Sequence, residues 1–137
     1  MMNDRRLEET SVWVQQLKLS QVRLVQHQDY IWLMLIPQVE SVRELIDLST
    51  QQQMDLMTEI DQTSRILRNL FSPDKLNIAT LGNVVPQLHV HVVCRYKDDK
   101  AWPGNIWNGE PSVPCEETLF AQRLSQIQHA YDVYNQQ

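Results

Sequence analysis

Positions 87–93 read Gln-Leu-His-Val-His-Val-Val, and this alternation of side chains decides how the rest of the chain is interpreted. Successive side chains of a β-strand point to opposite faces, so the pattern predicts a strand whose two faces differ. One face is wholly apolar and belongs against a core. The other presents Gln87, His89 and His91 in a row, each about 7 Å from the next. A buried ring nitrogen without a partner costs about 1–3 kcal/mol, so a row of polar side chains here indicates function.

The paired histidines His89 and His91 are compatible with three roles. In the first, backbone groups or water satisfy both rings and nothing further happens. In the second they chelate zinc, which takes three or four ligands; a third is not evident, because Cys94 points to the other face and His27 and His129 lie far away in the sequence, in polar surroundings expected at the surface. In the third, a neutral imidazole nitrogen attacks phosphorus while its neighbour holds the phosphate. No metal site is predicted.

Composition narrows the class of protein. The 137 residues fit one domain, predicted over residues 1–137, and 42% hydrophobic residues can build a core. The net charge of −5 and the lack of a dense basic patch argue against binding a nucleic acid polymer. Two cysteines outside any CxxC pair indicate reduced thiols. With a polar start and no long apolar run, we expect a cytoplasmic protein without a membrane partner.

The order of predicted elements favours an α+β fold. Strands come in pairs, as in an antiparallel sheet of about five strands with helices packed on it. Capping boxes are expected to open helices at Ser41 and at Thr50. The predicted helices are 3–19, one after residue 41, a long one after residue 50, and 115–133; the predicted strands are 21–26, 30–36, 75–81 and 87–95.

The strand at 87–93 resembles the motif of the histidine-triad (HIT) superfamily of nucleotide hydrolases and transferases, His-φ-His-φ-His-φ-φ with φ apolar. All four φ positions match, as do the second and third histidines. Residues 75–81 followed by Gly82-Asn83 are similar to the strand and phosphate-facing loop that precede the motif. Arg95 and the later Trp102-Pro103-Gly104 are similar to the Arg and Trp-Pro tail of several members. The resemblance covers roughly residues 21–104 and implies a HIT-like fold.

The resemblance also implies a mechanism. His89 attacks the α-phosphate of a nucleotide and forms a nucleotidyl-histidine intermediate that water hydrolyses, while His91 contacts the phosphate. The implied substrates are dinucleoside polyphosphates or nucleoside phosphoramidates. No cofactor is implied, and a homodimer in which two sheets join is expected. The implied substrate-binding residues are Gly82, Asn83, Asn77, Arg95 and Trp102.

Two positions depart from the family pattern. Gln87 replaces the first histidine of the triad, and Trp32 stands where members often carry a further histidine on the earlier hairpin. An amide keeps a hydrogen bond but cannot relay a proton near pH 7. Two functions therefore remain open: a nucleotide phosphohydrolase, and a non-catalytic nucleotide-binding or sensing module on the same fold.

Overall fold

The computed structural model of the protein describes residues 1–108 and 113–135. Residues 109–112 and 136–137 of the predicted 1–137 domain lie outside this part of the chain. Within it, no helix is both long and apolar enough to cross a membrane. The elements are α1 (Arg5–Glu9), β1 (Ser11–Gln16), β2 (Ser20–Val25), β3 (Trp32–Pro37), a 3₁₀ turn (Leu45–Asp47), α2 (Thr50–Phe71), β4 (Lys75–Ala79), β5 (Val90–Arg95) and α3 (Glu117–Asn135).

The strands form one antiparallel sheet in the order β1-β2-β3-β5-β4. The predicted α+β class with five strands is confirmed. Strand β5, which begins directly after His89 and contains His91, lies between β3 and β4, and all six of its residues are buried. Within β5, His91 lies opposite Met34 of β3 on one side and Ala79 of β4 on the other. The histidine strand is thus held from both sides by backbone hydrogen bonds.

The main core lies on the face of the sheet opposite to the histidines. Leu88, Val90, Val92 and Cys94 are buried there, as the alternation predicts. Helices α2 and α3 cover this face with their apolar stripes, α3 through Ile127 and Tyr131. Cys94 and Cys115 are free thiols. The remaining core residues of α2 are Leu56, Ile60, Ile66 and Leu67.

The predicted helix over residues 3–19 is wrong beyond its first turns. Helix α1 ends at Glu9, and residues 11–16 form the edge strand β1, which pairs with β2. The spacing of Leu7, Val14 and Leu17 suits a helical stripe, but Val12 and Val14 are β-branched and favour a strand. Tertiary pairing with β2 decides the outcome.

Several other boundaries need correction. The box expected at Ser41 opens no α-helix; Glu44 instead caps the 3₁₀ turn. Helix α2 is capped by Ser49, whose hydroxyl accepts from the Gln52 backbone N–H while the Gln52 side chain accepts from the Ser49 backbone N–H, so its cap lies one residue before the predicted Thr50. The hairpin runs over 20–25 and 32–37. Strand β4 stops at residue 79, and β5 starts at residue 90.

Candidate active site

His89 lies just ahead of β5, and the backbone carbonyl of Gln87 fixes its tautomer. Its Nδ1 is 2.7 Å from the carbonyl oxygen of Gln87. A carbonyl oxygen can only accept, so Nδ1 carries the hydrogen and Nε2 keeps the lone pair. The side chain is 6% exposed. His89 is therefore held with Nδ1 bonded to the backbone and Nε2 as its acceptor nitrogen.

His91 has the opposite tautomer, because its neighbour on β3 donates to it. The indole Nε1 of Trp32 is 2.8 Å from His91 Nδ1, and an indole nitrogen can only donate. The hydrogen of His91 is accordingly on Nε2. Burial lowers the pKa of His91 to about 3, with a smaller contribution from His89. His91 is a neutral hydrogen-bond donor at physiological pH.

The two imidazoles are in direct contact. Their ring centroids are 4.8 Å apart and their planes are nearly perpendicular, at 82°. One ring offers an acceptor nitrogen and the other a donor N–H. A phosphate in front of the pair could meet a nucleophile at its phosphorus and a hydrogen-bond donor at one of its oxygens.

Gln87 is held by the N-terminal segment rather than by either histidine side chain. Its Oε1 accepts a 2.6 Å hydrogen bond from the backbone N–H of Asp4, whereas its Nε2 is buried and has no partner. Arg6 ties the same segment to the preceding loop by donating to the Val84 carbonyl at 3.0 Å. An open cavity of about 550 Å³ is lined by Asp4, Arg6, Gln87 and Arg43, among others.

A second polar cluster lies beyond Val93 on the same face. Arg95 is buried, and its guanidinium bonds both carboxylate oxygens of Asp99, at 2.8 and 2.9 Å. It also donates to Asn77 Oδ1 at 2.7 Å and to the Gly104 carbonyl at 2.8 Å. The Arg95 hydrogen bonds lower the pKa of Asp99 and raise that of Arg95 itself. Arg95 thus binds Asn77 of β4 and the loop that follows β5.

The predicted site residues fall into three groups. The first group is His89, His91 and the Gln87 backbone, which the structure brings together. The second is the cluster around Arg95, where the Trp102 ring centroid lies 5.7 Å from the guanidinium carbon. Gly82 and Asn83 lie in the loop between β4 and Gln87. Gly82 has a φ of +77°, in the left-handed region that glycine adopts readily.

Aromatic rings that the sequence did not assign to the site surround His91. Trp107 lies 5.4 Å from its ring centroid. His27, expected at the surface, is instead 7% exposed and packs against Tyr30 and Trp32. Its polar sequence neighbours concealed this burial. Only the family resemblance pointed to Trp32, and nothing local pointed to Trp107. Over residues 1–108 and 113–135, no group of three His, Cys, Asp or Glu side chains could hold a metal ion.

Comparison with known proteins assigns the family. The model of the HIT domain matches residues 6–98. The chain belongs to the HIT family. A curated relative of this HIT protein is the asymmetrical bis(5'-nucleosyl)-tetraphosphatase of Schizosaccharomyces pombe, 32% identical over 72 residues. That match covers 49% of this chain and 39% of the relative, so the HIT protein spans about two fifths of the relative's length.

Solved structures of bacterial histidine triad proteins are similar over nearly the whole chain. One from Bradyrhizobium japonicum is 39% identical with a TM-score of 0.91, covering 94% of this chain and 96% of its own. One from Marinobacter aquaeolei VT8 is 36% identical with a TM-score of 0.91, covering 94% of both chains. The chain therefore shares its fold with these structures over nearly its whole length.

Proposed function

We propose that this HIT protein is a nucleotide phosphohydrolase or nucleotidyl transferase in which His89 Nε2 attacks an α-phosphate. The observation that carries the proposal is the bond from His89 Nδ1 to the Gln87 carbonyl, which leaves Nε2 as the acceptor. Family membership and the tetraphosphatase relative support a nucleotide substrate. Dinucleoside polyphosphates and nucleoside phosphoramidates are the two candidate substrate classes.

The proposed reaction has two displacements. In the first, a bond forms between Nε2 and phosphorus, and the bond from phosphorus to the leaving group breaks with its electron pair. The cationic ring that results keeps its Nδ1 hydrogen on the Gln87 carbonyl, which stabilises it. His91 Nε2–H donates to a phosphoryl oxygen. In the second, a water oxygen bonds to phosphorus, Nε2 departs, and the water proton passes to solvent.

Other predicted residues receive roles that suit their positions. We propose that backbone groups at Gly82 and Asn83 approach phosphate oxygens, since glycine permits close backbone contact. An indirect, supporting role is proposed for Asn77, Arg95 and Trp102 in place of direct phosphate binding. The reason is that the Arg95 guanidinium already bonds Asp99, Asn77 and Gly104. Together, Asn77, Arg95 and Trp102 hold the end of β5 and the following loop in place. The protein is further proposed to be a homodimer whose sheets join.

The second candidate function is nucleotide binding without turnover. The observation that favours it is the replacement of two family histidines by Gln87 and Trp32, neither of which titrates near neutral pH. A sensor of this kind would bind AMP and release it unchanged. It would use the same phosphate-facing surface.

Replacing the nucleophile separates the two candidates. Purified protein is incubated with a panel of nucleotides beside His89→Ala and the control His129→Ala, which removes an exposed imidazole on α3. We expect turnover by the wild type and by the control, and a loss of at least about 10³-fold in His89→Ala, since covalent catalysis is then abolished. Alkaline quenching followed by mass spectrometry should show a nucleoside monophosphate on His89. Equal turnover by all three proteins would refute the proposal, and tight AMP binding without turnover would favour the sensor.

A further inference from the structure

Three side chains of the described residues are linked to the surroundings of His89, those of Gln87, Asp4 and His91, and none of the three can release a proton near neutral pH. Gln87 is an amide whose Oε1 is taken by the Asp4 backbone. The carboxyl group of Asp4 is ionised, because hydrogen bonds from Arg6 lower its pKa to about 2. Within residues 1–108 and 113–135, the aromatic ring in contact with His89 is that of His91.

His91 is prevented from acting as an acid by its environment. For the ring to carry a second proton, that proton must sit on Nδ1. The Trp32 indole N–H points at that nitrogen from 2.8 Å, so protonation would set two donors against each other. Trp32 and Trp107 also exclude water from the ring, with centroids 5.4 Å away. Burial also lowers the pKa of His91, which likewise disfavours the protonated ring.

We infer that this site expels only leaving groups that depart as stable anions, and that its substrates are nucleoside polyphosphates rather than nucleoside phosphoramidates. A phosphate or polyphosphate chain takes the electron pair of the broken P–O bond and needs no proton. An amine must gain a proton as the P–N bond breaks, and a positioned acid supplies about 10²–10⁴-fold in such steps. This inference rests on the proposed function and narrows its substrate class.

The test uses pairs of substrates that differ only in the leaving group. The first pair is an adenosine 5'-polyphosphate and an AMP alkylamide, which share the base, ribose and α-phosphate. The second is a series of AMP aryl esters whose phenols have graded pKa values. We expect the polyphosphate to be preferred by at least about 10²-fold in kcat/KM, and the ester rates to fall steeply as the phenol pKa rises.

A designed acid provides the matched comparison. Gln87→His adds a titratable ring two residues before His89, at the position of the missing triad histidine, whereas Gln87→Leu removes the amide without adding an acid. We expect Gln87→His to flatten the dependence on phenol pKa and to raise the alkylamide-to-polyphosphate ratio at least about tenfold. Gln87→Leu should keep the steep dependence, whatever its absolute rate.

The outcomes distinguish this inference from the proposed function. The inference would be overturned if the wild-type protein cleaved the alkylamide as fast as the polyphosphate, or if its rates on the aryl esters did not depend on the phenol pKa. Either result would leave the proposed catalysis by His89 intact. Failure to cleave any member of either set would overturn the proposed function, and the inference with it. If neither Gln87 variant folds, the dependence of the wild-type rates on the phenol pKa decides by itself whether the inference holds.

Discussion

Asp99→Asn is the substitution whose cost the structure defines most sharply. Each carboxylate oxygen of Asp99 accepts two N–H bonds: Oδ2 from Arg95 Nε and the Tyr96 backbone, at 2.8 and 3.0 Å, and Oδ1 from Arg95 Nη2 and the Trp102 backbone, at 2.9 and 2.8 Å. Asparagine keeps one acceptor oxygen and turns the other into a donor. Two bonds then become donor–donor contacts, and the Arg95 charge loses its counterion.

The expected loss follows from the burial of the ion pair. The side chains of Arg95 and Asp99 are 2% and 6% exposed. Breaking a buried pair by neutralising one partner costs about 3–5 kcal/mol, because the remaining charge stays uncompensated. A domain is stable by only about 5–15 kcal/mol in total. The variant should therefore unfold at a much lower urea concentration than the wild type.

Equilibrium unfolding in urea, followed by circular dichroism, measures this loss. Asp98→Asn is the matched control, since Asp98 is the exposed neighbour with the same side chain. The control should stay within about 0.5 kcal/mol of the wild type. A loss below about 1 kcal/mol in Asp99→Asn, with an unchanged urea dependence, would refute the claim that this ion pair holds the loop to β5.

Two further predictions concern acid stability and assembly. The pKa of His91 is about 3 in the folded protein and 6.5 ordinarily, so the unfolded chain takes up the proton first and stability falls as the pH drops through this window. Measured by urea unfolding, the free energy of unfolding of the wild type should fall by about 2 kcal/mol from pH 7 to pH 5, and that of His91→Gln should fall by less. Equal losses in the two proteins would contradict this assignment to His91. The proposed homodimer predicts a sedimentation-equilibrium mass of twice 16.1 kDa, against a single 16.1 kDa species if the chain is monomeric.

The histidine strand was predictable because its information is local. A two-residue alternation needs no knowledge of distant segments, and it assigned Leu88 and Val90 to the core and His89 and His91 to the other face. Strand β1 was not predictable in this way. Its residues suit a helix as well as a strand, and only pairing with β2 decides between them.

The arrangement of the site also depends on contacts that no pattern in the sequence marks. The sequence could not show that Asp99 turns back onto Arg95, because this requires the backbone turn after β5. Nor could it show that Trp32 sets the tautomer of His91, which depends on β3 and β5 being neighbours. Residue types were visible in the sequence, but their hydrogen-bond partners were not.

The bond from the Asp4 backbone to Gln87 has a practical consequence for recombinant work. Limited proteolysis that removed the first nine residues would remove the short helix α1 but spare α2, α3 and the strands β1 to β5, so the clipped product could still look native by circular dichroism. It would nevertheless lack the partner of the Gln87 amide and the Arg6 anchor of the Val84 loop. Preparations should therefore be checked by intact mass before a weak turnover number is ascribed to the intact protein.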